Sequence, residues 1–310
     1  MKAIIIYFTG TYNTLHLVNK IKSRLADFLE EIDVFSIDST SKSINLDDYD
    51  LIFFSYPIYA FNMPNIFFKY VKKLKLPKSK DYIIAKQSGE PLSLNDSSSY
   101  PLIHLIKKAK GNFKNEYHFL YPYNIHFRYD DNFIKELFNY NTKLLDILIY
   151  EYKNSIIRKV KYNPIYAFNS FIFKIQRLGG PINSKFYKVD YSKCIHCNKC
   201  LINCPTKNIA LINNKYKFNT KCVMCMRCSF YCPKDAIEIG LFKSWKVNGK
   251  YDLNKIEEST SLDGHYLKNH TSKFFKLFPK KIKKIEDLHS KYFNLITIHQ
   301  PSWWFFIFGR

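Results

Sequence analysis

Eight cysteines fall between residues 194 and 232 and nowhere else in the chain. They form two runs, Cys194-x2-Cys197-x2-Cys200-x3-Cys204-Pro205 and Cys222-x2-Cys225-x2-Cys228-x3-Cys232-Pro233, the second repeating the first 28 residues on. Three thiolates at x2 intervals in a tight loop cover three corners of a cubane. The fourth, set off by x3 and followed by proline, is expected to open a short helix, point the other way and serve the other cluster. The reading is two [4Fe–4S] clusters: Cys194, Cys197, Cys200 and Cys232 hold one, and Cys222, Cys225, Cys228 and Cys204 hold the second. Disulfides do not persist where thiols are kept reduced. A tetrahedral zinc site takes two cysteine pairs with a longer spacer and has no use for a third cysteine at x2.

A second chemistry-bearing stretch lies near the N-terminus. Lys2–Phe8 is a continuous apolar run, the mark of a strand buried on both faces. Thr9-Gly10-Thr11-Tyr12-Asn13-Thr14 follows it, then a helical stripe of Leu15, Val18, Ile21, Leu25, Phe28 and Leu29. A strand, a small polar loop and a helix form a phosphate cradle, because N–H groups and hydroxyls converge at the positive end of the helix. Thr9, Gly10, Thr11, Asn13 and Thr14 are the candidate donors; Thr14 serving only as a helix N-cap is the plainer alternative.

The elements that must position these residues alternate. Strands are expected at Asp33–Ile37, Asp50–Ser55, Asp81–Lys86 and Glu116–Tyr121. Helices are expected after Pro64, over Ser99–Lys110 and over Asn132–Ile157. Such alternation implies a doubly wound α/β parallel sheet; the expected order is the flavodoxin-like 2-1-3-4-5, in which the ligand sits beyond the carboxyl ends of the strands. Two more loops then reach the same edge. Pro57, Ile58, Tyr59 and Phe61 follow the third strand, and Gln87, Ser88 and Gly89 follow the fourth. Tyr59 or Phe61 is placed to stack on a flavin ring, and the Gly89 backbone to bond its edge; ordinary aromatic packing is the competing account.

The stretches 7–14, 86–95 and 122–128 and both cysteine blocks together resemble the flavodoxin–ferredoxin fusion proteins of anaerobic bacteria, the EFR-type ferredoxins. The resemblance spans residues 1 to about 250. It implies an FMN-binding flavodoxin-like domain joined to a 2[4Fe–4S] dicluster ferredoxin domain, hence electron transfer with no substrate named. The family loop usually has glycine where this chain has Tyr12, so a side chain there would crowd the phosphate or strain the backbone.

Residues 1–160 are thus expected as the flavodoxin-like domain, 161–184 as a linker broken at Gly179-Gly180-Pro181, 185–240 as a small α+β ferredoxin domain, and 241–310 as a C-terminal extension of unknown role. In the ferredoxin domain, short strands are expected at 186–189 and 236–239. With 27 Phe and 24 Tyr the chain has ample core-forming residues, which excludes disorder.

The net charge of +22 is uneven. Residues 1–150 hold 19 Lys/Arg against 16 Asp/Glu, and residues 151–310 hold 29 against 10. Each oxidised cluster with its thiolates contributes about −2. An AT-rich coding bias explains many of the lysines; an acidic redox partner protein would also suit them. No apolar run reaches a membrane span. Ile165–Leu178 is interrupted by polar residues, and 303–308 is too short. The basic helix around Lys280–Lys284 is either a solvated face or a peripheral membrane contact. Met1–Ile6 has no A-x-A-like cleavage site, so the expected location is the cytoplasm. No catalytic constellation stands out. Two other readings compete: a plain dicluster ferredoxin whose α/β domain is an empty docking scaffold, and a zinc-containing module that grips nucleic acid.

Overall fold

The computed structural model describes residues 1–298 apart from 248 and 271, with side chains described to residue 294; the apolar run at 303–308 lies outside the described residues. Five strands, β1 (Lys2–Tyr7), β2 (Glu31–Ser36), β3 (Leu51–Pro57), β4 (Asp81–Ser88) and β5 (Asn112–Leu120), form a parallel sheet in the order β2-β1-β3-β4-β5. Each strand alternates its side chains between two cores. Ala3, Ile5 and Tyr7 pack with α1 (Asn13–Leu25) and α4 (Asp131–Lys153). Ile4, Ile6 and Phe8 pack with α2 (Asn65–Val71) and α3 (Tyr100–Lys108). With helices on both faces, β3 is buried throughout and β1 beyond Lys2, whereas the edge strand β2 is only half-buried.

The segment expected as a linker is helical. Its helices are α5 (Pro164–Phe173) and α6 (Gln176–Ser184), and Pro181 sits inside α6. Asn163 caps α5 through its side-chain oxygen, and Pro164 occupies the first turn, where its missing N–H costs nothing. Between the two helices Lys174, Ile175, Arg177 and Leu178 donate to carbonyls three residues back, so the chain keeps one helical path.

The cysteine region is built on two small ladders. β6 (Lys188–Val189) pairs antiparallel with β9 (Ile237–Glu238), and β7 (Ile209–Ile212) pairs with β8 (Lys215–Phe218). The 28-residue repeat extends to the backbone. Left-handed residues at His196, Asn198 and Lys207 recur at Met224, Met226 and Asp235. The one-turn helices α7 (Lys199–Ile202) and α8 (Arg227–Phe230) repeat likewise. These helices carry the third cysteine of each run and precede the fourth, so Cys204 and Cys232 follow a helix instead of opening one.

Beyond the ferredoxin-like region, α9 (Leu253–Glu258) and α10 (Phe278–Ile298) return to the sheet domain. Phe278 and Ile285 are buried in the same core as Phe133 and Leu144 of α4. Ile282, Leu288 and Tyr292 pack there too, so the apolar side of this basic helix is covered by protein. Among the described residues no helix is long and apolar enough to cross a membrane.

Candidate functional site

The loops after β1, β3, β4 and β5 meet at one edge of the sheet, as the parallel order dictates. There they wall a cavity of about 1000 Å³. Of the residues singled out in the sequence, Asn13, Pro57, Ile58, Tyr59, Phe61, Gln87, Ser88 and Gly89 line it. Thr9, Gly10, Thr11 and Thr14 lie beside it, tied in by Gln87, whose Nε2 donates to Thr14 Oγ1 at 3.2 Å. Asn13 is not a free donor: its amide donates to the Pro122 carbonyl at 2.8 Å and braces α1 against the loop after β5. Thr14 does not cap α1. The position before the helix is Tyr12, with no side-chain cap.

Tyr12 is left-handed at φ 66°, the conformation glycine adopts most readily. Its ring does not enter the cradle. It packs on the Tyr231 ring at 4.9 Å beneath the Arg227 guanidinium, 5.5 Å from the ring centre. Three successive loop carbonyls turn the same way: Arg227 donates to those of Thr9 and Gly10, and Tyr231 Oη donates to that of Thr11 at 2.7 Å. The carbonyl and amide of one trans peptide point opposite ways. The N–H groups of Gly10, Thr11 and Tyr12 therefore face away from the ferredoxin-like region, and none takes a partner among the described backbone hydrogen bonds. Thr9 Oγ1 is buried without a partner as well. A set of unengaged donors at the start of a helix fits a phosphate group.

Tyr59 closes this corner. Ala60 and Phe61 are both left-handed, and Tyr59 and Asn62 exchange backbone hydrogen bonds at 2.8 and 3.0 Å. This is the two-residue turn geometry that asparagine and glycine usually supply, so strain is stored here. The turn buries the Tyr59 hydroxyl, unpartnered, against Gly10. A Cβ on Gly10 would stand 2.5 Å from that hydroxyl and 2.7 Å from the Cys225 carbonyl, so only glycine fits. Burial holds the Tyr59 hydroxyl protonated far above its ordinary range, and the neighbouring Cys225 thiol adds to this. Gly89 is required for a similar reason: a Cβ would lie 2.2 Å from the Tyr123 ring.

The remaining walls come from parts of the chain outside the expected site. Tyr123–His126 follows β5. Phe173, Arg177 and Gly180 come from the helical segment, Cys222–Met224 from the second cysteine run, and Trp245 from the turn beyond β9. Arg177 is the informative one. Its Nε is buried without a partner, and desolvation disfavours the guanidinium's charge. Glu90, also on the wall, has its carboxyl pushed up by burial, against hydrogen bonds from Tyr123 and Asn95. Of these, Phe173, Arg177 and Trp245 carried no signal in the sequence that would place them at the cavity.

The cysteines group across the two runs. Cys194, Cys197, Cys200 and Cys232 line one pocket at the surface, together with Lys199 and Lys234. Burial raises the Cys200 thiol to about 11, and Cys232 and Cys194 raise it further by repulsion. Cys222 is pushed to about 12 by burial and by its neighbours Cys225 and Cys204. Cys228 is held well above its ordinary value by burial and by Cys225, Cys222 and Cys204. The backbone N–H of Asn208 points to Cys204 Sγ at 3.2 Å, and that of Ala236 points to Cys232 Sγ at the same distance, again 28 residues apart. Four soft thiols with inward N–H groups suit an iron–sulfur cluster. Among the described residues no three His, Cys, Asp or Glu side chains converge on a single-ion site. The first set is the outer one, with Cys197 exposed; in the second, Cys225 is buried.

Comparison with known proteins adds to this geometry. Two models of a 4Fe-4S binding domain match residues 187–209 and 216–238. No curated protein matches the chain. Among solved structures it is similar to a flavodoxin from the domain Archaea, at 16% identity over 47% of this chain and 96% of that one, with a TM-score of 0.34. It is also similar to a flavodoxin from Streptococcus pneumoniae TIGR4, at 13% identity over 47% and 99%, TM-score 0.34. For an oxidised flavodoxin from Bacillus cereus the values are 14%, 47% and 98%, TM-score 0.32. The fold class rests on the observed strand order itself. The chain thus joins a doubly wound α/β domain of strand order β2-β1-β3-β4-β5 to two segments that match 4Fe-4S binding domain models.

Proposed function

We propose that the chain is an electron carrier that links FMN, held at the sheet edge, to two [4Fe–4S] clusters. Cys194, Cys197, Cys200 and Cys232 would hold the outer cluster, and Cys222, Cys225, Cys228 and Cys204 the inner one. One observation carries the reading. The cavity at the carboxyl ends of the strands shares a wall with the second cysteine run, through Cys222, Val223 and Met224. The inner cluster and the flavin would then sit on either side of one stretch of backbone.

When bound, FMN supplies one- or two-electron chemistry and each cluster one-electron chemistry. The chain's own residues do the rest. The amides of Gly10, Thr11 and Tyr12, with Thr9 Oγ1, would hold the phosphate. Tyr59, Phe61 and Tyr123 would bound the ring. Arg177 offers the cavity a positive charge that favours an electron-rich ligand. Glu90, whose carboxyl burial pushes up, lies on the same wall. The exposed Cys197 and the lysines beside the outer pocket suit an acidic redox partner.

Anaerobic purification tests this. The reading expects a brown protein with FMN and about eight irons per chain, and flavin absorbance that bleaches together with the cluster bands under dithionite. Iron without flavin would leave a plain dicluster ferredoxin with an α/β scaffold. A colourless zinc protein would remove the electron-transfer reading altogether.

A further inference from the structure

We infer that the outer face of α5 and α6 is a docking surface for an anionic phospholipid bilayer. A helix on a globular protein normally turns its apolar stripe inward; this pair does the reverse. The inward side is mostly polar, Phe173 against Phe61 apart. Ser170 Oγ donates to the Phe61 carbonyl at 3.2 Å and to Asn62 Oδ1 at 3.0 Å. The Asn183 amide donates to the Ile239 carbonyl at 2.9 Å, and Ser184 Oγ to that of Asn219 at 2.6 Å. The outward side carries Ile165, Phe168, Phe171, Ile175, Leu178 and Ile182, each 55–69% exposed. Their spacing of three or four residues puts them on one stripe along the continuous helical path. Large contiguous apolar patches on a protein surface mark interaction sites.

The charge around this stripe selects the occupant. From residue 152 to residue 189 there are eight Lys/Arg and no Asp or Glu. Lys159, Lys161 and Lys185 are exposed. The Lys174 ammonium lies over the Phe171 ring, 5.3 Å from its centre. An aromatic and aliphatic face rimmed by cations, with no anion among them, matches an interfacial helix on a negatively charged membrane. A second copy would bring the same unrelieved positive charge to the contact. The polar residues that interrupt Ile165–Leu178 as a membrane span include Ser170 and Arg177, which face the protein, so the stretch suits lying on a bilayer instead of crossing it.

The test is co-sedimentation of the full-length, cluster-loaded protein with vesicles of phosphatidylcholine alone or mixed with phosphatidylglycerol. Binding should require phosphatidylglycerol and be released by salt. The combined substitution Phe168→Ser, Phe171→Ser, Ile175→Ser should abolish it while leaving the visible cluster spectrum and far-UV circular dichroism intact. The positions are exposed, so folding does not depend on them. Replacing Lys159, Lys161 and Lys185 by Gln should weaken binding by roughly fivefold per charge. Failure of the wild-type protein to sediment with the anionic vesicles overturns the inference. So does undiminished binding by the serine variant, or equal binding to neutral vesicles. A dimer in solution that the serine variant dissolves would also overturn it, assigning the face to a second copy.

Discussion

Arg227, from the second cysteine run, donates through Nε to the Gly10 carbonyl at 2.9 Å and through a second guanidinium nitrogen to the Thr9 carbonyl. A third nitrogen donates to the carbonyl of Asn203 at 3.0 Å, just before Cys204. One side chain thus pins the loop after β1 to both cysteine runs. It also turns the loop carbonyls outward, which leaves the amides free for an anion.

Arg227→Ala should therefore loosen the interface without removing a cluster, since arginine is not a ligand. Hydrogen bonds from a charged group are each worth about 1.5–3 kcal/mol. The expected outcome is unchanged iron content, a lower unfolding midpoint in urea, and slower electron exchange between flavin and clusters in stopped-flow absorbance. An unaltered exchange rate would show that the contact is not what sets the approach of the two halves.

Cys204→Ala should damage the cluster otherwise held by Cys222, Cys225 and Cys228. Iron should fall from about eight to about four per chain. EPR of the reduced variant should retain the signal of the outer cluster. If the cluster held by Cys194, Cys197 and Cys200 is the one that disappears, the crossed assignment is wrong.

Tyr12→Gly sets two effects against each other. Relief of a left-handed non-glycine residue is worth about 1–2 kcal/mol. The lost contact with Tyr231 is worth about 0.5–1.5 kcal/mol, and that with Arg227 about 0.5–1 kcal/mol. The net effect on stability should lie between a gain of about 1 kcal/mol and a loss of about 1.5 kcal/mol. FMN should bind as tightly or more tightly in a calorimetric titration, because the ring lies outside the cradle. A large loss of affinity would mean that Tyr12 itself contacts the cofactor.

Glu257 anchors α9 to α1 through His16 at 3.2 Å and Lys20 at 2.6 Å. Burial acts to raise its carboxyl, but hydrogen bonds from His16 and Lys20 outweigh it and hold the carboxyl below the usual range. A depressed acid stabilises the fold above its unfolded value, about 4.5, and the contribution is lost as pH falls through the lower folded value. The stability difference between wild type and Glu257→Gln should therefore be full at neutral pH and shrink below about pH 4.5. Urea unfolding across that range checks it; a difference that grows on acidification would contradict the assignment.

Much of the sheet was legible because β1, β3 and β4 are continuous or nearly continuous apolar runs. The edge strands were displaced: Asp33–Ile37 became Glu31–Ser36, and the last strand began at Asn112, four residues early. Edge residues are half-solvated, so hydrophobicity marks their limits poorly. The two 4Fe-4S binding segments were legible because cluster geometry dictates ligand spacing. The helices α5 and α6 were missed because Gly179, Gly180 and Pro181 read as a break. Contacts distant in sequence override that preference, with Asn183 and Ser184 fastened to Ile239 and Asn219. Arg177 and Trp245 could not be assigned to the cavity, since nothing local to them tells which wall they face.

The cavity's walls are also ordered along the chain, and that order is the order of manufacture. The loops at Pro57–Phe61, Gln87–Glu90 and Tyr123–His126 leave the ribosome first, the helical lid next, and Cys222–Met224 and Trp245 afterwards. A flavin captured by the nascent sheet domain would rest in an open bowl until the second cysteine run supplies the last wall. Were the proposed clusters to supply that region's folding energy, as metals do in small domains, the wall would form only in iron-loaded chains. Iron starvation should thus yield chains that leak flavin as well as lacking clusters, so a shortage of one nutrient would disable both cofactors together.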